Sequence, residues 1–235
     1  MTLNTIIIGG TSGIGLEAAR YLNKQGYDVT VASRTRFNIE KSIKYLHIDV
    51  TKESSVKDFF SLIKYNKIDS IIYAAGVTSS KKSIVEFSVE EYLKTHDVNL
   101  LGAILVLKYA FPFLQQSKGK VVIVSSFASR TFSNFSGFEY TISKAGLSSL
   151  VKQLAIEWAN DGILINTVLP SMVDTPMLRE NVEPLVLKNI EKEIPLGRIA
   201  TPQEIATAIE FLISERNTYI TGAGIDINGG QFLSS

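Results

Sequence analysis

Residues Leu3 to Gly15 constrain the fold more than any other stretch of the chain. Leu3 to Ile8 reads as a short buried strand that runs without a spacer into Gly9-Gly10-Thr11-Ser12-Gly13-Ile14-Gly15 and then into a helix. The helix is signalled by Leu16, Ala19 and Leu22 at about 3.6-residue spacing and is stopped by Gly26. Glycine accepts positive φ and lets the backbone approach a phosphate closely. The helix N-terminus behind it offers unpaired N–H groups and the positive end of a dipole, which favour an anion. The spacing is G-x3-G-x-G, neither the G-x-G-x-x-G fingerprint nor a phosphate loop ending in Lys-Ser/Thr. Taken alone, the turn fits an anion site and also a plain structural junction.

The 235 residues, 45% apolar and 20% charged, suit one sizeable α/β domain. We expect a single domain over residues 1–235, with a substrate-loop segment at about 171–200. A net charge of +1 supplies no electrostatic ground for nucleic acid or a membrane surface, and Lys41/Lys44 and Lys81/Lys82 read as solvated faces. The chain has no cysteine, which excludes disulfides, thiol catalysis and thiolate metal sites. The two histidines stand apart, so no metal site is expected, and His47 reads as packed within an apolar strand. No run approaches the length of a membrane span, and the first strand begins almost at Met1, leaving no room for a removable leader. The glycosylation pattern Asn134-Phe135-Ser136 therefore reads as chance, and the expected location is cytoplasmic.

Strands are expected at Val29–Ser33, Lys44–Asp49, Asp69–Ala74, Lys120–Ser125, Ile163–Val168 and Ile225–Asn228. Arg34 to Lys44 is close to the minimum length of a parallel crossover, so a very short helix or none is expected there. Thr51 reads as the N-cap of a helix that buries Val56, Phe59, Phe60 and Ile63. The capping box Ser88-Val-Glu-Glu91 opens a helix running past Asn99 toward Tyr109 and limited by Pro112. A later helix carries Leu147, Leu150, Val151, Leu154 and Trp158 on one stripe, facing either the sheet or a neighbouring subunit. Leu178 to Ile190 reads as a helix, and Thr201-Pro-Gln-Glu204 is a capping box with proline at the first helical position. Alternating strands and helices imply a doubly wound parallel sheet with helices on both faces. Ligands of such a sheet gather beyond the strand ends, here Ile8, Ser33, Asp49, Ala74, Ser125 and Val168.

Past one of those ends stand Ser126 and then Tyr140-Thr-Ile-Ser-Lys144. Tyrosine and lysine at i and i+4 share a helix face, so the ammonium can stabilise a phenolate. Lowering a phenol from about 10 to about 7 requires about 4 kcal/mol, within reach of a close, partly desolvated charge. The pair would then serve as an acid/base near neutral pH.

With these motifs in order, the chain resembles the short-chain dehydrogenase/reductase family from Leu3 to Gly230. The match rests on Gly9-x3-Gly13-Ile14-Gly15, Asp49-Val50, Ala74-Ala75-Gly76, Val98-Asn99, Ser125-Ser126 and Tyr140-x3-Lys144. Asn166-Thr-Val-Leu-Pro170, Val173-Asp-Thr175, Pro195-Leu-Gly-Arg198, Tyr219-Ile-Thr-Gly222 and Asn228-Gly-Gly230 extend it. The resemblance implies NAD or NADP as cofactor. It makes Tyr140 the proton donor, Lys144 its modulator and the ribose ligand, Ser126 the carbonyl-polarising group, and Asn99 the holder of a relay water. It further places Gly9, Thr11, Ser12, Gly13, Ile14 and Gly15 at the pyrophosphate, Asp49 and Val50 at the adenine, and Ala75 and Gly76 along the cofactor. Val173 and Thr175 fall on the nicotinamide side. Three local alternatives stay open: Ser125 in place of Ser126 at the substrate, Asp49 as a helix cap, and Asn99 as a simple helix interruption. Ile8, Tyr73 and Ser171 depart from the family's usual threonine, asparagine and glycine.

The implied activity is NADP-dependent reduction of a small-molecule carbonyl, or oxidation of a secondary alcohol. Reduction of 3-oxoacyl groups on acyl carrier protein is the alternative; Asp161 stands where such members often carry a basic residue. A non-catalytic cofactor sensor is the third reading, although Tyr140 and Lys144 are both kept. NADPH is expected over NADH, with NAD possible, because Ser33 occupies the place of the usual ribose-binding acid and can donate to a phosphate, with Arg34 next to it. Arg36 reads as a solvated charge. Phe127, Phe132, Phe135, Phe138, Met172 and Leu178 suggest an apolar pocket wall. The resemblance favours a homo-oligomer, a tetramer or a dimer.

Overall fold

A computed structural model describes residues 3–36 and 39–233. Its strands are β1 (Asn4–Ile8), β2 (Asp28–Ser33), β3 (Lys44–His47), β4 (Ser70–Tyr73), β5 (Lys120–Val124), β6 (Leu164–Pro170) and β7 (Gly224–Ile227). They form one sheet in the order β3-β2-β1-β4-β5-β6-β7, and every pairing is parallel. Strand order reverses between β1 and β4, which opens a crevice beyond their carboxyl ends. The helices are α1 (Gly13–Lys24), α2 (Glu53–Leu62), α3 (Val89–His96), α4 (Gly102–Ser117), α5 (Phe138–Glu157), α6 (Pro176–Asn181), α7 (Pro184–Glu193) and α8 (Pro202–Ile213).

Strand side chains alternate between two apolar cores. Ile6, Ile8, Ile71, Tyr73, Val121 and Ile123 pack with α2, α4 and α5, while Ile7, Val29, Val31, Ile72 and Val122 pack with α1 and α8. Both faces are covered, as a doubly wound α/β fold requires. The stripe on α5 faces inward: Trp158 is buried and packs against Phe111 of α4, with ring centroids 5.4 Å apart.

Several local expectations are corrected. Pro112 lies inside α4. Lys108, four residues earlier, is exposed, so the carbonyl that proline leaves without its helical donor can be hydrated. Between α3 and α4 the helix continues through a π-turn, Asp97–Leu101, that contains Asn99. The combined run, 89–117, is long and apolar enough to span a membrane, contrary to the sequence reading, but Ala103, Val106, Leu107, Ala110 and Leu114 are buried in the sheet-face core. Lys52, not Thr51, caps α2. The single helix expected over 178–190 is two, α6 and α7, broken before Pro184, which starts α7 at its first position. His47 is exposed rather than packed, because it ends β3, the edge strand. No helix occurs between β2 and β3 among the described residues; Phe37 and Asn38 lie outside them.

Candidate active site

β1 ends at Ile8, and the chain turns at once into α1. Gly9 has φ +83°, and a Cβ there would lie 2.5 Å from the Ala75 nitrogen, so no side chain fits between this turn and the chain leaving β4. A Cβ on Gly15 would collide with the Gly9 carbonyl. Ser12 is the N-cap of α1, yet its side chain makes no capping bond and the first turn holds no acidic residue. The free N–H groups and dipole of this helix therefore suit a diphosphate.

Two cavities meet at this turn. The smaller, about 200 Å³, is lined by Gly9, Thr11, Ser12 and Ala75, and on its far side by Ser33, Arg34, Asp49 and Val50. The Ser33 hydroxyl donates to the Thr35 carbonyl (2.7 Å) and accepts from Thr11 Oγ1 (3.1 Å). Its single proton is thus engaged, which corrects the expectation that it is free for a phosphate. Arg34 is exposed at this rim. Arg36 is not simply solvated; its guanidinium lies 5.6 Å from the Tyr45 ring centroid. Asp49 Oδ1 accepts from the Thr51 amide (3.1 Å) and hydroxyl (2.7 Å). Burial raises the Asp49 pKa, but Thr51, Lys52 and Arg34 outweigh it and hold the carboxyl below its ordinary value.

The larger cavity, about 460 Å³, is lined on one side by Gly13, Ile14, Gly15, Val173 and Thr175, and on the other by Ser126, Tyr140 and Lys144. α5 presents Tyr140 and Lys144 one turn apart, and Lys144 Nζ lies 5.5 Å from the Tyr140 ring centroid. Lys144 is only 5% exposed and donates to the Val124 carbonyl (2.9 Å). Burial lowers its pKa to about 8. Burial likewise raises the pKa of Tyr140, and the facing Ser126 hydroxyl partly offsets that rise. The expectation that Lys144 lowers the phenol is therefore not met in this state, because desolvation of both groups dominates. Ser125, buried, donates to the Lys144 carbonyl (2.9 Å), so of the two serines it is Ser126 that faces the tyrosine.

Asn99 lines neither cavity. Its Oδ1 accepts from the Val77 amide (2.8 Å), and its Nδ2 donates to the Val77 carbonyl (3.0 Å) and to Ser143 Oγ (2.9 Å). The π-turn around it is pinned by Tyr73, whose hydroxyl donates to the Val98 carbonyl at 2.5 Å. Gly102 permits this, since a Cβ there would lie 2.6 Å from the Tyr73 hydroxyl. Gly76 leaves open the space beside Lys144: its Cβ would lie 3.4 Å from Nζ and 3.5 Å from Asn99 Oδ1.

Sequence reasoning missed the support around Tyr140. Glu139, next to it, is 3% exposed and accepts from the Ser79 hydroxyl (3.2 Å), while the Gly137 amide donates to the Ser79 carbonyl (3.0 Å). These bonds fasten the loop after β4 to the start of α5 across about sixty positions, with no local signal beyond an acid in a first helical turn. Thr78, Met177, Asn181, Glu193 and Gln231 also line the large cavity unannounced. Of the six residues expected as apolar wall, Phe138 is absent; it stacks on Phe87 at 5.9 Å. Asp161 accepts from Gln115 Nε2 (2.8 Å) just before β6, at the opposite end of the sheet from the cavities, so within one chain it says nothing about a carrier at their mouth. Among the described residues, no group of three or more His, Asp or Glu could hold a metal ion.

A family model described as enoyl-(acyl carrier protein) reductase matches residues 9–231. The chain is 32% identical to an acetoacetyl-CoA reductase of Acinetobacter sp., over 97% of this chain and 97% of the relative. Its fold superposes on ElxO, solved with NADP bound, with a TM-score of 0.91 and 29% identity over 98% of this chain and 99% of that one. It also superposes on a 3-ketoacyl-(acyl-carrier-protein) reductase from Brucella melitensis complexed with NADH, with a TM-score of 0.89 and 26% identity over 97% and 98% of the two chains. With a sheet of this order, a glycine turn at its switch point and a match over nearly the whole chain, this protein is an oxidoreductase that belongs to the short-chain dehydrogenase/reductase family.

Proposed function

We propose that this enzyme reduces the carbonyl of a small molecule with NADPH, or oxidises the corresponding secondary alcohol with NADP. One observation carries the reading: Tyr140, Ser126 and buried Lys144 share a cavity with the open N-terminus of α1. A nicotinamide cofactor held there would supply or accept the hydride. Ser126 and Tyr140 receive the carbonyl oxygen, and Tyr140 delivers its phenolic proton to that oxygen as negative charge develops there. Lys144, with one N–H on Val124, keeps the others for the cofactor ribose, and its charge stabilises the phenolate left behind. Asn99 clamps Val77 and Ser143 and so holds the backbone along which a relay water reaches Lys144.

Gly9 to Gly15 take the pyrophosphate, Asp49 and Val50 the adenine side, Ala75 and Gly76 the span between, and Val173 and Thr175 the nicotinamide. Nicotinamide cofactors in related structures support this assignment. With the Ser33 proton engaged, the preference for NADPH rests on Arg34. Residues 1–235 form the catalytic domain, with 171–200 as its substrate loop, and act in the cytoplasm. Exposed Leu93, Ile104 and Ile142 support self-association into a dimer or tetramer. Reduction of 3-oxoacyl thioesters is the second reading, favoured by the acetoacetyl-CoA reductase likeness.

The test is a ketone, alcohol and 3-oxoacyl thioester panel followed by NADPH absorbance, with Tyr140→Phe as control. Turnover is expected to fall by about two to four orders of magnitude in the variant, while cofactor affinity stays nearly constant. Turnover within a few-fold of wild type would remove Tyr140 from the chemistry. NADPH binding without turnover of any panel member would leave the cofactor-sensing reading.

A further inference from the structure

Beyond Tyr140 the large cavity is walled by Phe127, Phe132, Phe135, Met172, Met177 and Leu178. Among the described residues that line it, Lys144 and Glu193 alone carry charge. Lys144 is buried at the reacting end with its ammonium on the Val124 carbonyl. Glu193 is exposed at the end of α7 and has the wrong sign to meet an anion. The neutral polar groups of the wall, Thr78, Ser133, Asn134, Ser136 and Ser171, offer hydroxyls and an amide but no charge. Asn181 Nδ2 spends one of its N–H groups on the Met177 carbonyl (2.8 Å). Gln231 Oε1 is buried with no donor facing it.

A carboxylate entering this space would give up its water, meet apolar side chains and uncharged hydroxyls and amides, and find no cation among the described lining residues except the one that the reaction needs. Burying an unpaired carboxylate is among the costliest steps a site can impose. An alkyl or aryl group entering the same space gains by leaving water. We infer that the site selects uncharged carbonyl compounds bearing an alkyl or aryl group and rejects those that carry a carboxylate on that group. The inference rests on the carbonyl-reductase reading for the reacting end, and on the charge and chemistry of the wall for the rest.

The test uses two ketones that differ in one group, benzylacetone and its para-carboxylate, titrated against the 235-residue protein with NADP present and followed by saturation-transfer NMR. Benzylacetone is expected to bind, and the carboxylate to bind roughly tenfold or more weakly. Met177 is 42% exposed, so Met177→Lys puts a cation at the wall with its stem still hydrated. Glu193→Lys does so from the exposed end of α7. Each is expected to narrow the ratio at least about threefold through charge pairing. Equal affinities in wild type, failure of benzylacetone to bind, or an unchanged ratio in both variants overturns the inference. If the affinities rank as expected but NADPH is consumed with neither ketone, the carbonyl-reductase reading falls while the charge selection stands.

Discussion

The two cavities at the strand ends are built differently. Around the smaller, the walls are the turn after β1 and the chain at the ends of β2, β3 and β4, where Ile8, Ala32, Ile48 and Val50 belong to a sheet core and Arg34 stands exposed at the rim. Around the larger, one wall is α5 and the chain after β5, while the other runs from the start of α1 through Val173 and Thr175 to an outer part carried by α6 and α7. Val182, Ile190 and Ile194 of that outer wall form a small cluster of their own with Phe135, Met172 and Leu178. Local stability follows the apolar area an element buries, so the outer wall opens at lower cost than the glycine turn. The cofactor half is thus rigid by construction, and the substrate half rests on a satellite core that can be reshaped without disturbing the sheet.

The most severe way to break the contrast is at the turn. Gly9→Ala places a methyl 2.5 Å from the Ala75 nitrogen at φ +83°. We expect a loss of about 3–4 kcal/mol by denaturant unfolding together with lost cofactor binding. A variant of wild-type stability would show that the turn tolerates a side chain and is no more rigid than the outer wall.

Next is Lys144, the charge buried between the halves. Its pKa is about 8 when folded, against an ordinary value of 10.5, so the unfolded chain binds more protons between those limits. Stability of the cofactor-free protein should therefore rise with pH from about 8 toward 10, by up to about 3 kcal/mol relative to Lys144→Met. Parallel stability–pH curves for the two proteins would mean that the ammonium is hydrated and not buried.

On the rim of the smaller cavity, Arg34→Ala should lower kcat/KM for NADPH by about ten- to a hundredfold, the worth of one charge-assisted hydrogen bond, and leave NADH nearly unchanged. Equal losses for both cofactors would detach Arg34 from the 2′-phosphate.

The mildest change sharpens the comparison directly. Ile190→Ala in the satellite cluster and Ile7→Ala in the sheet core delete similar buried apolar groups. We expect about 3–4 kcal/mol of global destabilisation for Ile7→Ala. For Ile190→Ala we expect about 1 kcal/mol, with a few-fold rise in ketone KM, because the loss is confined to a locally opening unit. Equal global losses would make the two regions one cooperative structure.

Much of this was legible from the chain. The seven strands, the turn at Gly9 to Gly15, the capping box at Thr201 and the spacing of Tyr140 and Lys144 depend on neighbours a few residues away, and local chemistry is enough to read them. Even the misread segments carried local signals: Pro184 marks the break between α6 and α7 by the same rule that places Pro202 at the start of α8.

What the sequence could not decide is set by burial and by contacts distant in the chain. Tyr140 and Lys144 are adjacent by spacing, but only the fold desolvates both and moves their pKa values toward the neutral forms. Two serines follow β5, and the tertiary structure turns Ser125 to the Lys144 carbonyl and leaves Ser126 facing the phenol. Tyr73, a departure from the family pattern, finds its role only through Val98 and Gly102, and Glu139 only through Ser79. Local sequence determines where the backbone must turn and which groups recur at helical spacing, because those constraints act within a few bonds. The dielectric around a charge and the partner of a hydroxyl depend on surfaces that distant segments bring together, so only the tertiary structure decides them.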